Sequence, residues 1–208
     1  MTSSKGDYLE TEQKYDAGAD FVLPKLAGLP GSRRATDPTR IYLSATYFDT
    51  EGFDLIRHKI TLRRRVGGED EGWHLKLPVR KDTRQELHTP LDEGETGSVP
   101  ARLAAQVKDI TAGRRLHPVA IIDTERTVVT LAGPAGDALV EVADDRVTAI
   151  RFGPREHEPM IWREIEVEAL SPGGEAAAML ESTGKALREA GARPSASSAK
   201  LARVLGAS

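Results

Sequence analysis

Residues Arg163-Glu164-Ile165-Glu166-Val167-Glu168 alternate charge and aliphatic bulk one position at a time. Successive side chains of a β-strand point to opposite faces, so Glu164, Glu166 and Glu168 share one face and Ile165 and Val167 the other. Carboxylates set side by side repel, and that cost falls only where cations stand among them, from neighbouring strands or as metal ions. The same spacing recurs along the chain. Glu10, Glu12 and Lys14 share a face, as do Arg63 and Arg65, His74 and Lys76, Arg84 and Glu86, and Glu141 and Asp145, while Glu125 and Arg126 put a charge on each face of their strand. Any one of these strands alone reads as the solvated side of a sheet, with cross-strand pairs worth a few tenths of a kcal/mol. Repeated along the chain, the pattern reads differently. Closing the sheet into a barrel turns the charged faces inward and the apolar faces outward, where helices cover them.

The whole sequence accommodates that architecture. Its 208 residues form a core without disulfides, and at 39% hydrophobic and 29% charged it is neither disordered nor equipped with an apolar run that spans a bilayer. There is no cysteine, which removes thiolate chemistry and cysteine-bound metals and fits a reducing compartment. Met1 to Asp7 is polar with no apolar segment, so the expected location is cytoplasmic, without membrane association. A net charge of −3 argues against a nucleic-acid partner.

Short β-branched runs separated by Gly, Pro and Asp predict strands at Tyr8–Asp16, Arg40–Phe48, Ile60–Val66, Gly72–Arg80, Thr83–Leu87, Ala120–Leu131, Ala138–Asp145, Val147–Phe152 and Met160–Leu170. Helices are predicted at Asp54–His58, Pro100–Ile110, Gly174–Ala190 and Ser197–Leu205, where apolar residues recur at three- and four-residue spacing. Gly67 to Gly72 and Pro134 to Asp137 read as hairpin turns, and Pro24 to Pro38 as a long loop. The expected class is α+β, mainly β, in a single domain over residues 1–208.

A lumen with carboxylates on one side and Lys and Arg on the other suits a metal-bound polyanion. Hard divalent ions take oxygen ligands, and arginine matches phosphate geometry bidentately, so phosphoryl transfer is the chemistry that fits. No Walker A loop occurs, which leaves phosphate binding to side chains.

Glu10-Thr11-Glu12-Gln13-Lys14 is an ExExK motif. It is followed in order by Tyr47-Phe48-Asp49-Thr50, Leu62-Arg63-Arg64-Arg65, Gly72-Trp73-His74-Leu75-Lys76-Leu77-Pro78, Arg84-Gln85-Glu86, Arg126, Val140-Glu141-Val142-Ala143-Asp144-Asp145, the Arg163–Glu168 strand, and Lys200 in Ser198-Ala199-Lys200-Leu201-Ala202. In this ordered set the sequence resembles a CYTH domain of the triphosphate tunnel metalloenzyme superfamily. The resemblance implies a closed eight-stranded antiparallel β-barrel with helices packed outside, and a tunnel that binds a triphosphate with Mg²⁺ or Mn²⁺. It implies metal ligation by Glu10, Glu12, Glu164, Glu166 and Asp145, and a triphosphate grip by Lys14, Arg63, Arg65, Lys76, Arg84, Arg126 and Lys200. Catalytic roles fall to Lys14, which activates water or stabilises the leaving group, and to Glu86 and Asp145, which orient a second metal or the attacking water. Glu141 and Glu168 share a face with matched residues. Whether Asp144 or Asp145 faces inward depends on register. Tyr47 and Asp49 match the pattern but read as structural, His74 reads as structural despite sharing the Lys76 face, and Trp73 reads as packed under a helix.

The leading expectation is a metal-dependent triphosphatase acting on inorganic tripolyphosphate, a nucleoside triphosphate or thiamine triphosphate, as a monomer or homodimer. Aromatics at 5% leave little to stack a base, which favours tripolyphosphate. The alternatives are an adenylate cyclase acting on ATP and a non-catalytic polyphosphate-binding module, the latter as the N-terminal part of a longer chain with a helical CHAD domain.

Overall fold

The computed structural model describes residues 8–80, 83–93, 98–153, 157–197 and 199–207, with side chains from Thr11 onward. Met1 to Asp7, the Glu10 side chain and Ser198 lie outside the described residues. Eight strands close on themselves: β1 (Tyr8–Ala17), β3 (Thr39–Asp49), β4 (Thr61–Val66), β5 (Gly72–Arg80), β6 (Thr83–Thr89), β7 (His117–Ala132), β8 (Ala138–Arg151) and β9 (Met160–Ala169). Around the barrel the order is β1-β6-β5-β4-β3-β7-β8-β9, with β9 pairing back to β1 and every pairing antiparallel. Two short strands, β2 (Arg34–Ala35) and β10 (Arg193–Pro194), add to β7 and β1.

Register carries the charges into one another's reach, because directly opposed residues share a face. Lys14 lies opposite Glu166 and Glu12 opposite Glu168. Asp145 lies opposite both Arg126 and Glu164, Lys76 opposite Glu86, and Tyr47 opposite Arg63. The outward faces are apolar and covered. Val129, Leu131, Val140, Val142, Ile165 and Val167 pack under Ala176, Met179, Leu180 and Leu187 of α4 (Gly174–Glu189). On the other side Phe48, Leu62, Trp73, Leu75 and Leu87 pack with Leu55 of α1 (Asp54–Arg57), Leu103 of α2 (Ala101–Gln106) and Val107, which leads into α3 (Lys108–Thr111). Trp73 is thus a packing residue. The Asp49 carboxylate is fully buried and accepts hydrogen bonds from the backbone N–H groups of Thr50, Leu55 and Ile56, satisfying the open donors at the start of α1.

Several expectations change. The two segments around Arg146 form one continuous strand, β8, because β7 pairs with it from Ala138 to Arg151. The Asp144-Asp145-Arg146 cluster is absorbed by opposite faces rather than by a turn. The helix expected over Pro100–Ile110 divides at Val107, whose backbone (φ −114°, ψ 8°) ends α2 before α3 begins. The expected loop over Pro24–Pro38 contains β2. Nor are all helices outside. Leu201, Ala202 and Val204 of α5 (Lys200–Leu205) pack on Ala45, Tyr47, Ala120, Ile122, Val147 and Ala149. These belong to the same strand faces as Arg65, Arg126 and Asp145, so α5 plugs one end of the lumen and carries Lys200 into it. The plug is stable there because that end of the inner face is aliphatic.

Where α4 crosses β1, Gly184 is fitted so closely that a Cβ would overlap the Tyr15 hydroxyl and Gln13. Tyr15 is 3% exposed and cannot swing away. Gly184→Ala is therefore expected to lower stability by about 1–3 kcal/mol through overpacking, read as a lower Tm. An unchanged Tm would mean that α4 does not sit this tightly.

Candidate active site in the barrel lumen

One wall of the lumen, made by β1, β8 and β9, is acidic with cations set among the acids. Glu166 is the hub. Its Oε1 lies 2.5 Å from Lys14 Nζ and 2.9 Å from Lys200 Nζ, and its Oε2 lies 2.6 Å from the Arg126 guanidinium. Arg126 also binds Asp145 bidentately, both contacts at 2.7 Å. Lys200 Nζ reaches Asp145 at 2.8 Å and Glu164 at 2.7 Å, and Lys14 reaches Glu12 at 2.9 Å. Trp162 Nε1 donates to Glu164 at 2.6 Å. Asp145, not Asp144, is the inward residue: it is fully buried, whereas Asp144 faces outward and is held by Arg163 at 2.7 Å.

The opposite wall, from β4, β5 and β6, is cationic. Arg63 touches the Tyr47 hydroxyl at 3.4 Å, Lys76 lies 3.6 Å from Glu86, and Arg84 lies 3.6 Å from Glu12 on the neighbouring strand β1. Glu86 is 2% exposed and held by His74 Nδ1 at 2.5 Å, while His74 Nε2 meets the Asp70 carbonyl oxygen at 2.9 Å. Arg65 pairs with the Asp70 carboxylate. Between the walls lies a cavity of about 690 Å³, lined by both sets, with Glu141 and Glu168 also on its surface. The Nε donors of Arg63 and Arg65 are buried there without a hydrogen-bond partner among the described residues. A buried charged donor left unmade is costly, and an anion in the cavity would relieve it.

Opposed charges set the protonation states. Burial alone would raise the carboxyls of Glu12, Asp145 and Glu166, but Lys14, Arg126 and Lys200 outweigh it and hold all three below the usual range. The same contacts, against burial, hold Lys14, Lys200 and Arg126 above their ordinary values. Burial also works against Glu86, yet Lys76, His74 and Arg63 hold it far below a normal glutamate. These groups are ionised at neutral pH.

Every sequence-predicted site residue with a described side chain belongs to this charged interior: Lys14, Arg63, Arg65, Lys76, Arg84, Glu86, Arg126, Glu166 and Lys200 line the cavity, Asp145 and Glu164 sit behind it on Lys200, and Glu12 is joined to it by Lys14. Glu10 lies on β1 opposite Arg84, which puts it at the right register position. Lys200, expected on phosphate, is seated on three carboxylates. Sequence reasoning missed Trp162, although period two from Glu164 places it on the charged face. It also missed Asp70, which sits in a stretch read only as a turn and folds back onto Arg65.

Asp145, Glu164 and Glu166 offer carboxylate oxygens within 4.8 Å of one another. Glu12 Oε1 has no hydrogen-bond partner among the described residues. An oxygen-only donor set with an unsatisfied acceptor beside it fits a hard divalent cation.

The fold and interior together define a closed antiparallel barrel with a charged lumen. The CYTH domain model matches residues 9–194, and the chain belongs to that family. It is 41% identical to two Mycobacterium tuberculosis proteins, MT2285 of strain CDC 1551 and Rv2226 of strain H37Rv, over 96% of this chain. It spans 40% of the length of each. Among solved structures, a Bacillus halodurans protein described as a putative adenylate cyclase superposes with a TM-score of 0.61 at 15% identity, covering 95% of this chain and 98% of that one. HpAC1 from Hippeastrum, described as a putative adenylyl cyclase with a dominant triphosphatase activity, superposes with a TM-score of 0.53 at 18% identity, covering 95% of each chain. These two likenesses show the fold. CYTH proteins are often enzymes, bind triphosphates and depend on metal.

Two outcomes test the network in metal-free protein. Asp145→Ala removes the bidentate partner of Arg126 and one of three carboxylates from Lys200, leaves a buried gap, and is expected to cost roughly 3–5 kcal/mol, measured by denaturant unfolding. A cost below 1 kcal/mol would place the pair in water. The second concerns pH. Carboxyls held below their unfolded values, 4.5 for Glu12 and Glu166 and 3.8 for Asp145, contribute stability that is present above those values and lost as pH falls through the folded ones. Tm is therefore expected to be flat from neutral pH to about 5 and to fall steadily below about 4. A Tm that rises on acidification would contradict the assignment.

Proposed function

We propose that this chain is a divalent-metal-dependent triphosphatase that hydrolyses inorganic tripolyphosphate inside its lumen. The observation that carries the reading is the division of one cavity into a carboxylate wall and an arginine and lysine wall with unsatisfied guanidinium donors. In it, Glu12, Asp145, Glu164 and Glu166, with Glu10 beside them on β1, would hold Mg²⁺ or Mn²⁺. Such an ion, when bound, neutralises phosphate charge and lowers the pKa of a bound water. Arg63, Arg65, Lys76 and Arg84 grip the phosphate oxygens, with Arg126 as a further cation anchored by Asp145. The guanidiniums stabilise charge that develops on the transferring phosphoryl group, and they are already oriented before substrate arrives. Lys14, locked between Glu12 and Glu166, is a charged ammonium, which suits stabilisation of the leaving phosphate better than proton abstraction. Glu86 stays ionised and is aimed by His74, so it can accept a hydrogen bond from the attacking water.

Tripolyphosphate is favoured over ATP and thiamine triphosphate because the cavity lining is charged, with Tyr47 as its one aromatic ring besides His88 among the described residues. Tyr47 is tied to Arg63 and 4% exposed, so it offers no stacking platform. Adenylate cyclase chemistry would require a site for the adenine and a 3′-hydroxyl nucleophile; the larger aliphatic side chains of the lining are limited to Ile41, Leu43 and Val128 among the described residues, with His88 on the same lining. A phosphate-binding module without turnover is the reading that remains if hydrolysis is absent. One CYTH domain over residues 1–208 in the cytoplasm, as a monomer or homodimer, completes the proposal.

Phosphate release from tripolyphosphate, ATP and thiamine triphosphate, with Mg²⁺ or Mn²⁺ and with chelator, tests it. Metal-dependent release that is fastest from tripolyphosphate is expected, and Glu12→Gln should reduce it by at least about a hundredfold. Cyclic AMP from ATP, or release unaffected by chelator, would overturn the reading. Arg65→Ala is expected to raise KM for tripolyphosphate by roughly tenfold or more, since it removes a buried, charge-assisted contact to phosphate. An unchanged KM would place the substrate away from β4.

A further inference from the structure

The barrel wall has a gap beside Lys14. β1 pairs with β6 only from Tyr8 to Thr11, the last pair being Thr11 with Thr83. From Glu12 onward β1 keeps β9 on one side, and on the other meets β10 at Tyr15 and Asp16 and the Ser195 N–H, which donates to the Lys14 carbonyl oxygen at 2.9 Å. The space left between Glu12–Lys14, the ends of β5 and β6, and the 194–197 segment is a second cavity of about 740 Å³. Lys14 and Arg84 line both this cavity and the lumen, so the two spaces share a wall of two cations. Beyond them the side cavity is lined by Lys59, Arg80 and Arg188, all exposed, and Glu12 is its one acid among the described residues. In a chain of net charge −3 this is a local excess of positive charge, and it contrasts with the lumen side, where Glu69, Asp70, Glu141 and Glu168 line the cavity.

We propose that this side groove is a subsite for the continuation of a linear polyphosphate longer than three phosphates, which passes Lys14 and Arg84 by displacing the Glu12 carboxylate that bridges them at 2.9 and 3.6 Å. The inference rests on the proposed function for the part of the chain inside the lumen and adds the substrate class: extended polyphosphate in preference to the trimer. Three arguments select this ligand. α5 fills one end of the lumen, and the gap at β1 lies next to the cationic wall, so the groove is the neighbouring space into which a longer anion held on that wall can extend. Each added phosphate brings a negative charge, and the groove meets it with spaced cations. The groove offers no ring on which a nucleobase could stack, since Tyr15, its one aromatic residue among those described, is buried under α4 with its hydroxyl bonded to Gln13 and Arg188. Lys59 stands at φ 60°, a left-handed position that asparagine tolerates, so its charge can be removed without disturbing the turn.

The test is calorimetric binding of tripolyphosphate, ATP and length-fractionated linear polyphosphate in chelator, to wild type and to the double variant Lys59→Asn/Arg80→Gln. Wild type is expected to bind the long chain about tenfold more tightly than tripolyphosphate, with a steeper salt dependence. In the double variant the long-chain advantage should fall by at least about threefold while tripolyphosphate affinity stays within about twofold. Equal affinity for long and short chains in wild type, or equal loss of both in the variant, would overturn the subsite. An advantage shown by ATP instead would assign the groove to a nucleoside and overturn it as well. If tripolyphosphate fails to bind while the long chain binds in a manner that depends on Lys59 and Arg80, the groove stands and the triphosphatase reading falls.

Discussion

Glu166 cannot be buried without Lys14, Arg126 and Lys200, and these three come from β1, β7 and α5. A lone carboxylate in a closed barrel would be protonated or would unfold its surroundings, because desolvating an ion costs several kcal/mol. Held by three cations it stays charged, and the three elements are tied together at one point. The barrel closes where β9 meets β1, and Lys14 spans that closure to reach Glu166. Fold closure and site assembly are therefore the same event.

This arrangement explains why the protein keeps an interior that an aliphatic core would replace at no loss of stability. Among the described residues, hydrogen bonds are missing at Glu12 Oε1 on one wall, which Arg84 meets as an ion pair at 3.6 Å, and at Arg63 Nε and Arg65 Nε on the other. Such leftovers in a rigid lumen are what a metal-bound anion needs, namely ligands fixed before it arrives. His74 extends the same logic outward. It joins Glu86 in the lumen to the Asp70 carbonyl in the β4–β5 turn, whose carboxylate in turn occupies Arg65. Turn, histidine and glutamate thus hold one another in place.

Period-two patterning made most of this legible in the sequence. The alternation at Glu164, Glu166 and Glu168 identifies an inner face, and a barrel follows from its recurrence in Arg63 and Arg65, in His74 and Lys76, and in Arg84 and Glu86. What stayed hidden depended on register or on distant chain. Nothing local distinguishes Asp144 from Asp145, and only the pairing with Arg126 across β7 and β8 does so. The continuity of β8 was masked because charges on both faces look like a turn. Lys200 was legible as a site residue, but not its partners, since α5 enters the barrel through contacts made by aliphatic residues more than fifty positions away in the chain. Asp70 was unreadable for a similar reason: a turn acid becomes a site residue only once the turn folds over the mouth.

The central claim, that this lumen holds a metal-bound triphosphate, is tested most directly by a crystal structure with Mn²⁺ and a slowly hydrolysed tripolyphosphate analogue, using the anomalous signal of manganese. The account predicts manganese on carboxylates of Glu12, Glu164 and Glu166 and phosphate oxygens on Arg63 and Arg65, with the Nε donors satisfied. Manganese and phosphate bound outside the barrel, with the ion network of Glu166 unchanged, would contradict it.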